Sequence, residues 1–275
     1  MIINTMTRLG LGCWHLRDES FLIRAFNAGC HSFDTADIYQ NGGSEKKIGK
    51  FLLLVPRDQV FIGSKIGRNF YKWNRPWYKY HREVFSDFRE EYLEHAFGQS
   101  LKRLGTDYLD VLYLHNPSRL QMRKGKIFLD RMKREGKIKY TGVSLHKVKH
   151  GFDAIRMGFD VLQVKINPDH EEALSLGGLV NRANTEGVRI VVKEPLARGK
   201  YAHHASRVFE WLGASGVTQV LVGTNDLTHL QDAKSILDKP SVRIAQQRRV
   251  DDRRDSIVSK FGSLQAFHKS RKEGT

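Results

Sequence analysis

The chain has 275 residues, 40% of them hydrophobic, and a formal net charge of +16. A chain of this length and apolar content can bury a large core, in two small domains or in one α/β barrel. Its two cysteines, Cys13 and Cys30, are too few for a disulfide framework and lack metal-ligand spacing, which favours a reducing compartment. Because the N-terminus has no secretory apolar stretch and no run approaches the roughly 20 apolar residues of a membrane span, we expect a soluble, cytoplasmic protein without a membrane partner.

Short apolar runs alternate with amphipathic stretches almost to the end of the chain, as is typical of repeated βα units around a parallel sheet. Eight strands are predicted, at 8–13, 30–34, 60–65, 108–114, 140–144, 161–165, 188–193 and 219–223. Eight helices are predicted, at 19–28, 44–53, 89–104, 119–135, 147–157, 171–185, 205–212 and 227–237. The unbroken alternation favours an α/β fold, a (β/α)8 TIM barrel forming a single domain over residues 1–275, over a doubly wound sheet with a second domain.

Two stretches interrupt this alternation. Residues 68–85 follow the third strand at the end where barrel active sites lie. Among their basic residues they carry the aromatic side chains Phe70, Tyr71, Trp73, Trp77, Tyr78 and Tyr80. We predict a lid or a substrate wall there. Residues 241–275 are rich in Arg and Lys, with apolar residues at roughly helical intervals, which predicts a terminal helix packed on the barrel with a solvated basic side.

Four side chains stand at or just after the carboxyl ends of successive predicted strands, where a barrel gathers catalytic groups. Asp34 ends the second strand and Tyr39 follows it, Lys65 ends the third, and His115 follows the fourth. Singly, each has a simpler interpretation: Asp34 a turn cap, Tyr39 a packing residue, Lys65 a buried stem with a solvated head, and His115 a structural histidine. Their joint placement at one end of the barrel favours a site for proton transfer to or from an oxygen.

Several further motifs follow one another in an order that is known from one family. They are Leu11-Gly12-Cys13-Trp14, Phe33-Asp34-Thr35-Ala36-Asp37-Ile38-Tyr39, Gly43-Ser44-Glu45, Ile48-Gly49, Ser64-Lys65, Ser100-Leu101-Lys102-Arg103-Leu104-Gly105-Thr106-Asp107-Tyr108-Leu109-Asp110, Gly142-Val143-Ser144, Gln163-Val164, Pro195-Leu196 and Val222-Gly223-Thr224. Together they cover nearly the whole chain, and they resemble the aldo-keto reductase superfamily.

The resemblance implies a nicotinamide-dependent oxidoreductase that reduces an aldehyde or ketone, with Tyr39 as the proton donor. A free tyrosine has a pKa near 10, so it is protonated at neutral pH, and a neighbouring cation stabilises the phenolate that it leaves. Lys65 is that cation, and Asp34 pairs with it because an unpaired buried ammonium is costly. His115 orients the substrate oxygen and can share the proton relay.

The resemblance assigns cofactor contacts less completely. Ser144 and Gln163 fall where the family binds the nicotinamide carboxamide, but Leu145 stands where an Asn is usual. Lys193 takes the place of a Tyr that stacks beneath the nicotinamide ring, and a cation there disfavours the oxidised cofactor, which tilts the prediction towards reduction.

The remaining predicted cofactor contacts are Leu196, Gly223, Thr224 and His229. The strong cations that NADP-selective members place near the eighth strand are missing here. NADP(H) remains the predicted cofactor on the resemblance, with NAD(H) as the alternative.

The substrate is a small carbonyl compound whose identity the sequence leaves open, as it does the oligomeric state. Trp14, Tyr71, Trp73 and Trp77 suggest a pocket for apolar or planar carbonyl compounds. One competing hypothesis is a redox sensor of the same fold that binds the cofactor with little turnover. A less favoured one is nucleic-acid binding, which rests on the net charge and on the aromatic and basic residues of 68–81.

Overall fold

The computed structural model describes residues 6–71 and 85–239, which contain ten strands. The strands are β1 (Leu9–Gly12), β2 (Ser32–Asp34), β3 (Phe61–Ile66), β4 (Arg68–Asn69), β5 (Phe85–Ser86), β6 (Leu109–His115), β7 (Ile138–Leu145), β8 (Val161–Lys165), β9 (Arg189–Lys193) and β10 (Gln219–Val222). Eight of them close into a parallel barrel in the order β1-β2-β3-β6-β7-β8-β9-β10. The predicted (β/α)8 barrel is therefore confirmed.

Helices lie between the barrel strands and after the last one. They are α1 (Ser20–Asn27), α2 (Gly43–Leu52), α3 (Glu90–Leu104), α4 (Arg119–Arg134), α5 (Lys149–Arg156), α6 (Leu179–Thr185), α7 (Ala205–Ala214) and α8 (Leu227–Leu237). Local chemistry sets several ends: Ser118 and Gln121 form a capping box at the start of α4, and Gly105 ends α3 with a φ of 64°. None of the helices in the described residues is long and apolar enough to cross a membrane.

The predicted helix at 171–185 is wrong in its first half. A 3-10 turn covers Glu172–Leu174, and α6 begins only at Leu179. Two glycines explain the break. Gly177 adopts a φ of +70°, and a Cβ on Gly178 would lie 2.6 Å from the carbonyl oxygen of Ser175.

The core has two parts, as expected for strands that are buried on both faces. An inner cluster fills the barrel below its mouth, and a larger shell lies between the strands and the helices. Side chains alternate along each strand, so residues two apart point the same way. The inner cluster consists of Phe61, Val111, Tyr113, Val161, Val191 and Leu221.

Strands β4 and β5 form a short antiparallel pair that the sequence did not predict, with Arg68 opposite Ser86. It joins the two described ends of the predicted lid. Residues 72–84, with Trp73 and Trp77, lie outside the described residues, and so does the predicted tail helix at 241–275.

Candidate active site

The carboxyl ends of the barrel strands bring the predicted polar side chains to one mouth. Strand pairing fixes their relative heights: Lys65 lies opposite Tyr113, His115 opposite Ser144, and Ser144 opposite Gln163. Because alternate residues face the barrel axis, the side chains two positions above the inner cluster also point inward. The inward-facing polar residues of this mouth are Asp34, Lys65, His115, Ser144, Gln163, Lys165 and Lys193.

Lys65 and Asp34 form a buried ion pair at the floor of the mouth. The Lys65 Nζ donates to Asp34 Oδ1 at 2.5 Å and to the Thr35 carbonyl oxygen at 2.6 Å, and Lys65 is only 1% exposed. Gly63 lies beneath the pair and leaves room for its neighbours in the barrel, since a Cβ there would lie 3.0 Å from Val111 Cγ1 and 3.2 Å from the Tyr113 ring. Burial opposes the charge of Lys65, but Asp34 and then Tyr39 outweigh it and raise the pKa of the ammonium. Lys65 is therefore a fixed cation at neutral pH.

Tyr39 stands at the start of a short turn, Tyr39–Gly42, that leads into α2. Gln40 and Asn41 in this turn have φ angles of 53° and 52°, in the left-handed region. The Gln40 side chain holds the turn by donating to the Trp14 and Leu16 carbonyl oxygens at 3.0 and 2.9 Å.

The Tyr39 phenol lies directly beside the buried cation. The Lys65 Nζ is 4.9 Å from the centroid of the Tyr39 ring. Burial raises the pKa of Tyr39 above its ordinary value, although Lys65 acts in the opposite direction. The phenol is thus protonated at neutral pH, with a cation in place to stabilise the phenolate.

His115 closes another side of the mouth, with its ring 6.2 Å from the Tyr39 ring in an edge-on arrangement. Its Nδ1 is buried and has no hydrogen-bond partner among residues 6–71 and 85–239. Burial, together with the nearby Lys65 and Lys193 ammonium groups, holds the pKa of His115 well below its ordinary value. The imidazole is therefore neutral at neutral pH.

A chain of hydrogen bonds crosses the mouth from Lys193 to the ion pair. Lys193 Nζ donates to Ser144 Oγ at 2.9 Å, and Ser144 Oγ donates to Gln163 Oε1 at 2.9 Å. Gln163 Nε2 then donates to Asp34 Oδ2 at 2.8 Å. Ser144 and Gln163, predicted as carboxamide ligands, thus also position the Asp34 carboxylate. The sequence did not predict this second role. It could have been suspected only because both residues fall at inward-facing positions of their strands.

Trp14 lies over the mouth beside Tyr39. Its ring stacks on the His15 and Tyr39 rings at 5.0 and 5.9 Å, the Arg198 guanidinium lies 5.7 Å from its centroid, and it is 46% exposed. This position suits the predicted role of Trp14 in lining the substrate pocket. Tyr71 does not point there: its hydroxyl accepts a hydrogen bond from Arg103 of α3 at 2.6 Å.

The other predicted cofactor contacts surround the mouth on its β9 and β10 sides. Leu196 follows β9, and its carbonyl oxygen accepts from the Gly199 amide at 3.0 Å. Gly223 and Thr224 follow β10, and His229 is exposed in the first turn of α8. These residues lie on the surface of the mouth, apart from the buried hydrogen-bond chain.

A second buried polar cluster under the Tyr39 turn was also missed. Glu45 accepts hydrogen bonds from Ser64 and Arg103 at 2.6 and 2.7 Å. Beside it, Asp37 is fully buried, and neither of its carboxyl oxygens has a hydrogen-bond partner in the part of the chain that the structure describes. Burial, followed by the nearby Glu45, raises the pKa of Asp37 well above its ordinary value. The cluster ties the turn to α3 and so supports the position of Tyr39.

The chain is similar to known proteins over most of its length. The model of the Aldo/keto reductase family matches residues 8–246. An NADH-specific methylglyoxal reductase of Escherichia coli is 26% identical over 217 residues, which are 71% of this chain and 65% of that protein. A D-threo-aldose 1-dehydrogenase of a Pseudomonas species is 31% identical over 152 residues, 46% of this chain and 44% of that protein. The matched part of the chain thus spans less than two thirds of either relative's length.

The fold has close structural neighbours as well. The solved structure of an aldo-keto reductase from Bacillus halodurans, in its holo form, superposes with a TM-score of 0.74 at 21% identity. The superposition covers 90% of this chain and 91% of that one, which shows that the two share the barrel fold.

Proposed function

Because the chain belongs to the aldo/keto reductase family, we propose that it reduces an aldehyde or a ketone to an alcohol with hydride from a nicotinamide cofactor. The observation that carries the proposal is the meeting of a phenol, a buried ammonium and a neutral imidazole in one barrel mouth. Tyr39 is the common neighbour, 4.9 Å from Lys65 Nζ and 6.2 Å from the His115 ring.

The mouth offers a surface that suits a flat ring with an amide at its edge. Gly12 and Gly223 lie close together and carry no side chains. A Cβ built on Gly12 would lie 3.9 Å from the Gly223 Cα. Ser144 keeps one lone pair and Gln163 one amide N–H beyond the hydrogen bonds described, which are the groups that a carboxamide needs. When bound, a nicotinamide supplies the hydride that reduces the carbonyl carbon.

The protein's own part is to deliver the proton. As the carbonyl carbon is reduced, negative charge grows on the carbonyl oxygen, and the Tyr39 hydroxyl donates its proton to that oxygen. The phenolate that remains is stabilised by the Lys65 ammonium in a site sheltered from water, where such a charge interaction is strong. Asp34 and the Thr35 carbonyl oxygen hold Lys65 in place throughout.

His115 orients the substrate. Its imidazole is neutral, so an N–H of the ring can donate to the carbonyl oxygen without competing for the proton of Tyr39. Trp14 forms an aromatic wall above Tyr39 that suits a small, planar or apolar carbonyl compound. We place the protein in the cytoplasm, where its two free, buried cysteines stay reduced.

We propose NADP(H) as the cofactor on the family resemblance, with NAD(H) as the alternative. Thr224 and His229 could contact a phosphate near α8, but Asp226 caps that helix by accepting from the Thr228 amide at 2.8 Å. A carboxylate in this turn weighs towards NAD(H). Steady-state kinetics with both reduced cofactors tests the choice, and a large preference for NADH would reverse it.

The decisive experiment for the activity is consumption of reduced cofactor with a panel of aldehydes and ketones, comparing the wild type with Tyr39→Phe. We expect kcat to fall by roughly 10²–10⁴, the usual contribution of a positioned proton donor, with cofactor binding unchanged in direct titration. The matched control is Tyr140→Phe, since Tyr140 packs on Phe61 in the inner cluster, away from the mouth. Equal turnover by Tyr39→Phe and wild type would refute the proton-donor role, and no turnover of any carbonyl by the wild type would refute the activity.

A further inference from the structure

Two lysines stand side by side in the barrel mouth. Lys165 and Lys193 end the neighbouring strands β8 and β9 and are directly paired in register, so their backbones lie about 4.8 Å apart. Lys193 Nζ reaches inward to Ser144 Oγ. Lys165 is two residues beyond Gln163, whose side chain bonds Asp34 across the barrel, so both lysines face the same space.

Lys193 has no counter-ion of its own in the described part of the chain. Among residues 6–71 and 85–239 it makes no ion pair, because Asp34 is taken by Lys65 and the Glu194 carboxylate pairs with Arg198 at 3.3 Å. Burial, then the Lys65 ammonium, lowers the pKa of Lys193 to about 8, with Lys165 adding to this effect and Glu194 and Asp34 opposing it.

The two histidines of the mouth, His146 and His115, do not carry a positive charge at neutral pH. His146 feels the Lys193 charge, and burial followed by that charge lowers the pKa of His146. His115 responds in the same way. A lysine that is buried beside other cations is the type that acts as a nucleophile towards carbonyl carbon.

From this placement we infer that Lys193 is a nucleophilic amine that captures aldehydes as an imine when no nicotinamide is bound. The inference goes beyond the proposed reduction and rests on it only in that the mouth admits carbonyl compounds. The neutral Nζ attacks the carbonyl carbon and forms a carbinolamine. Loss of water then gives the imine, so one amine and one aldehyde yield one imine and one water, with no change in oxidation state.

Capture and reduction exclude each other at this position. The family resemblance implies that Lys193 would lie beneath the nicotinamide ring, so an imine there would fill the space that the ring requires. Excess aldehyde would accordingly inactivate the protein when reduced cofactor is scarce, and reduced cofactor would protect it.

The test is reductive trapping. Protein freed of cofactor is incubated with benzaldehyde, sodium borohydride supplies hydride to reduce any imine to a stable secondary amine, and peptide mass spectrometry locates the benzyl group. At pH 7 an amine with a pKa of about 8 is about 10% neutral, against about 0.04% for an ordinary lysine. We therefore expect Lys193 to be modified roughly a hundredfold more than exposed Lys50 at pH 7. From about pH 7 to 9 the modification of Lys193 should rise, while its preference over Lys50 should narrow, because Lys193 is already mostly neutral above pH 8.

Two controls sharpen the test. Lys193→Arg keeps the cation and cannot form an imine, so it should lose the benzyl group at this site while unfolding at the same temperature as the wild type. Saturating NADPH should suppress the modification of Lys193 and leave Lys50 unaffected. Modification spread evenly over surface lysines, or equal with and without NADPH, would overturn the inference.

The same preparation separates this inference from the proposed function. Carbonyl reduction without labelling of Lys193 overturns only the nucleophile, and labelling without any carbonyl reduction overturns only the reductase.

Discussion

Replacing Asp34 by Asn removes the anion of the buried ion pair while keeping the size of the side chain. The Lys65 ammonium is only 1% exposed and would then have only neutral partners, the Thr35 carbonyl oxygen among them. Removing one member of a buried pair costs about 3–5 kcal/mol, because the remaining charge is left uncompensated. At about 2–4 °C per kcal/mol for a domain of comparable size, the melting temperature should fall by roughly 6–20 °C.

Thermal and urea unfolding, followed by far-ultraviolet circular dichroism, measure this loss. The matched control is Glu19→Gln, which breaks a Lys50–Glu19 pair of ordinary length, 2.8 Å, whose side chains are 66% and 40% exposed. It should change stability little, since exposed pairs contribute little.

A double variant separates stability from chemistry. Adding Lys65→Met to Asp34→Asn removes the uncompensated charge, so stability should recover towards the wild-type value. Activity should stay lost, because no cation remains to stabilise the Tyr39 phenolate. If Asp34→Asn unfolds like Glu19→Gln, or if the double variant is less stable than the single one, our reading of the buried pair is wrong.

Three further predictions concern the mouth and the packing around it. Burial depresses the pKa of His115, so below about pH 6.5 the unfolded chain takes up a proton that the folded protein does not. The free energy of unfolding therefore decreases as the pH is lowered. His115→Asn should reduce this loss between about pH 6.5 and 5, and an unchanged slope would contradict it. Lys193→Met should raise the affinity for oxidised relative to reduced cofactor by about tenfold or more in fluorescence titration, and an unchanged ratio would remove the basis for a reductive direction. Gly49→Ala should destabilise the barrel by about 1–3 kcal/mol, since the added Cβ would lie 2.3 Å from the Arg103 carbonyl oxygen. Its control is Gly98→Ala on the exposed face of α3, where a Cβ would have nothing within 4 Å and should stabilise the protein by about 0.5–1 kcal/mol. Equal melting temperatures of the two variants would show that α2 can shift to accommodate the Cβ.

The sequence by itself determined the order and type of nearly every barrel element. Apolar periodicity is a local property, and it located eight strands to within one or two residues at each end. It also determined that Asp34, Lys65 and His115 would meet, because closing a parallel barrel brings the carboxyl ends of all its strands to one mouth whatever the details of packing. Among the predicted barrel elements, the helix at 171–185 was wrong in its first half, where two glycines interrupt an otherwise amphipathic stretch.

Tertiary structure alone decided which of these side chains touch. The bond from Gln163 to Asp34 joins residues 129 positions apart, and no local pattern encodes the side-chain conformations that make it. The depressed pKa of Lys193 likewise depends on burial and on charges from three other strands. Hydrogen bonding and desolvation depend on distances of a few ångströms between distant segments, which exist only once the barrel has closed.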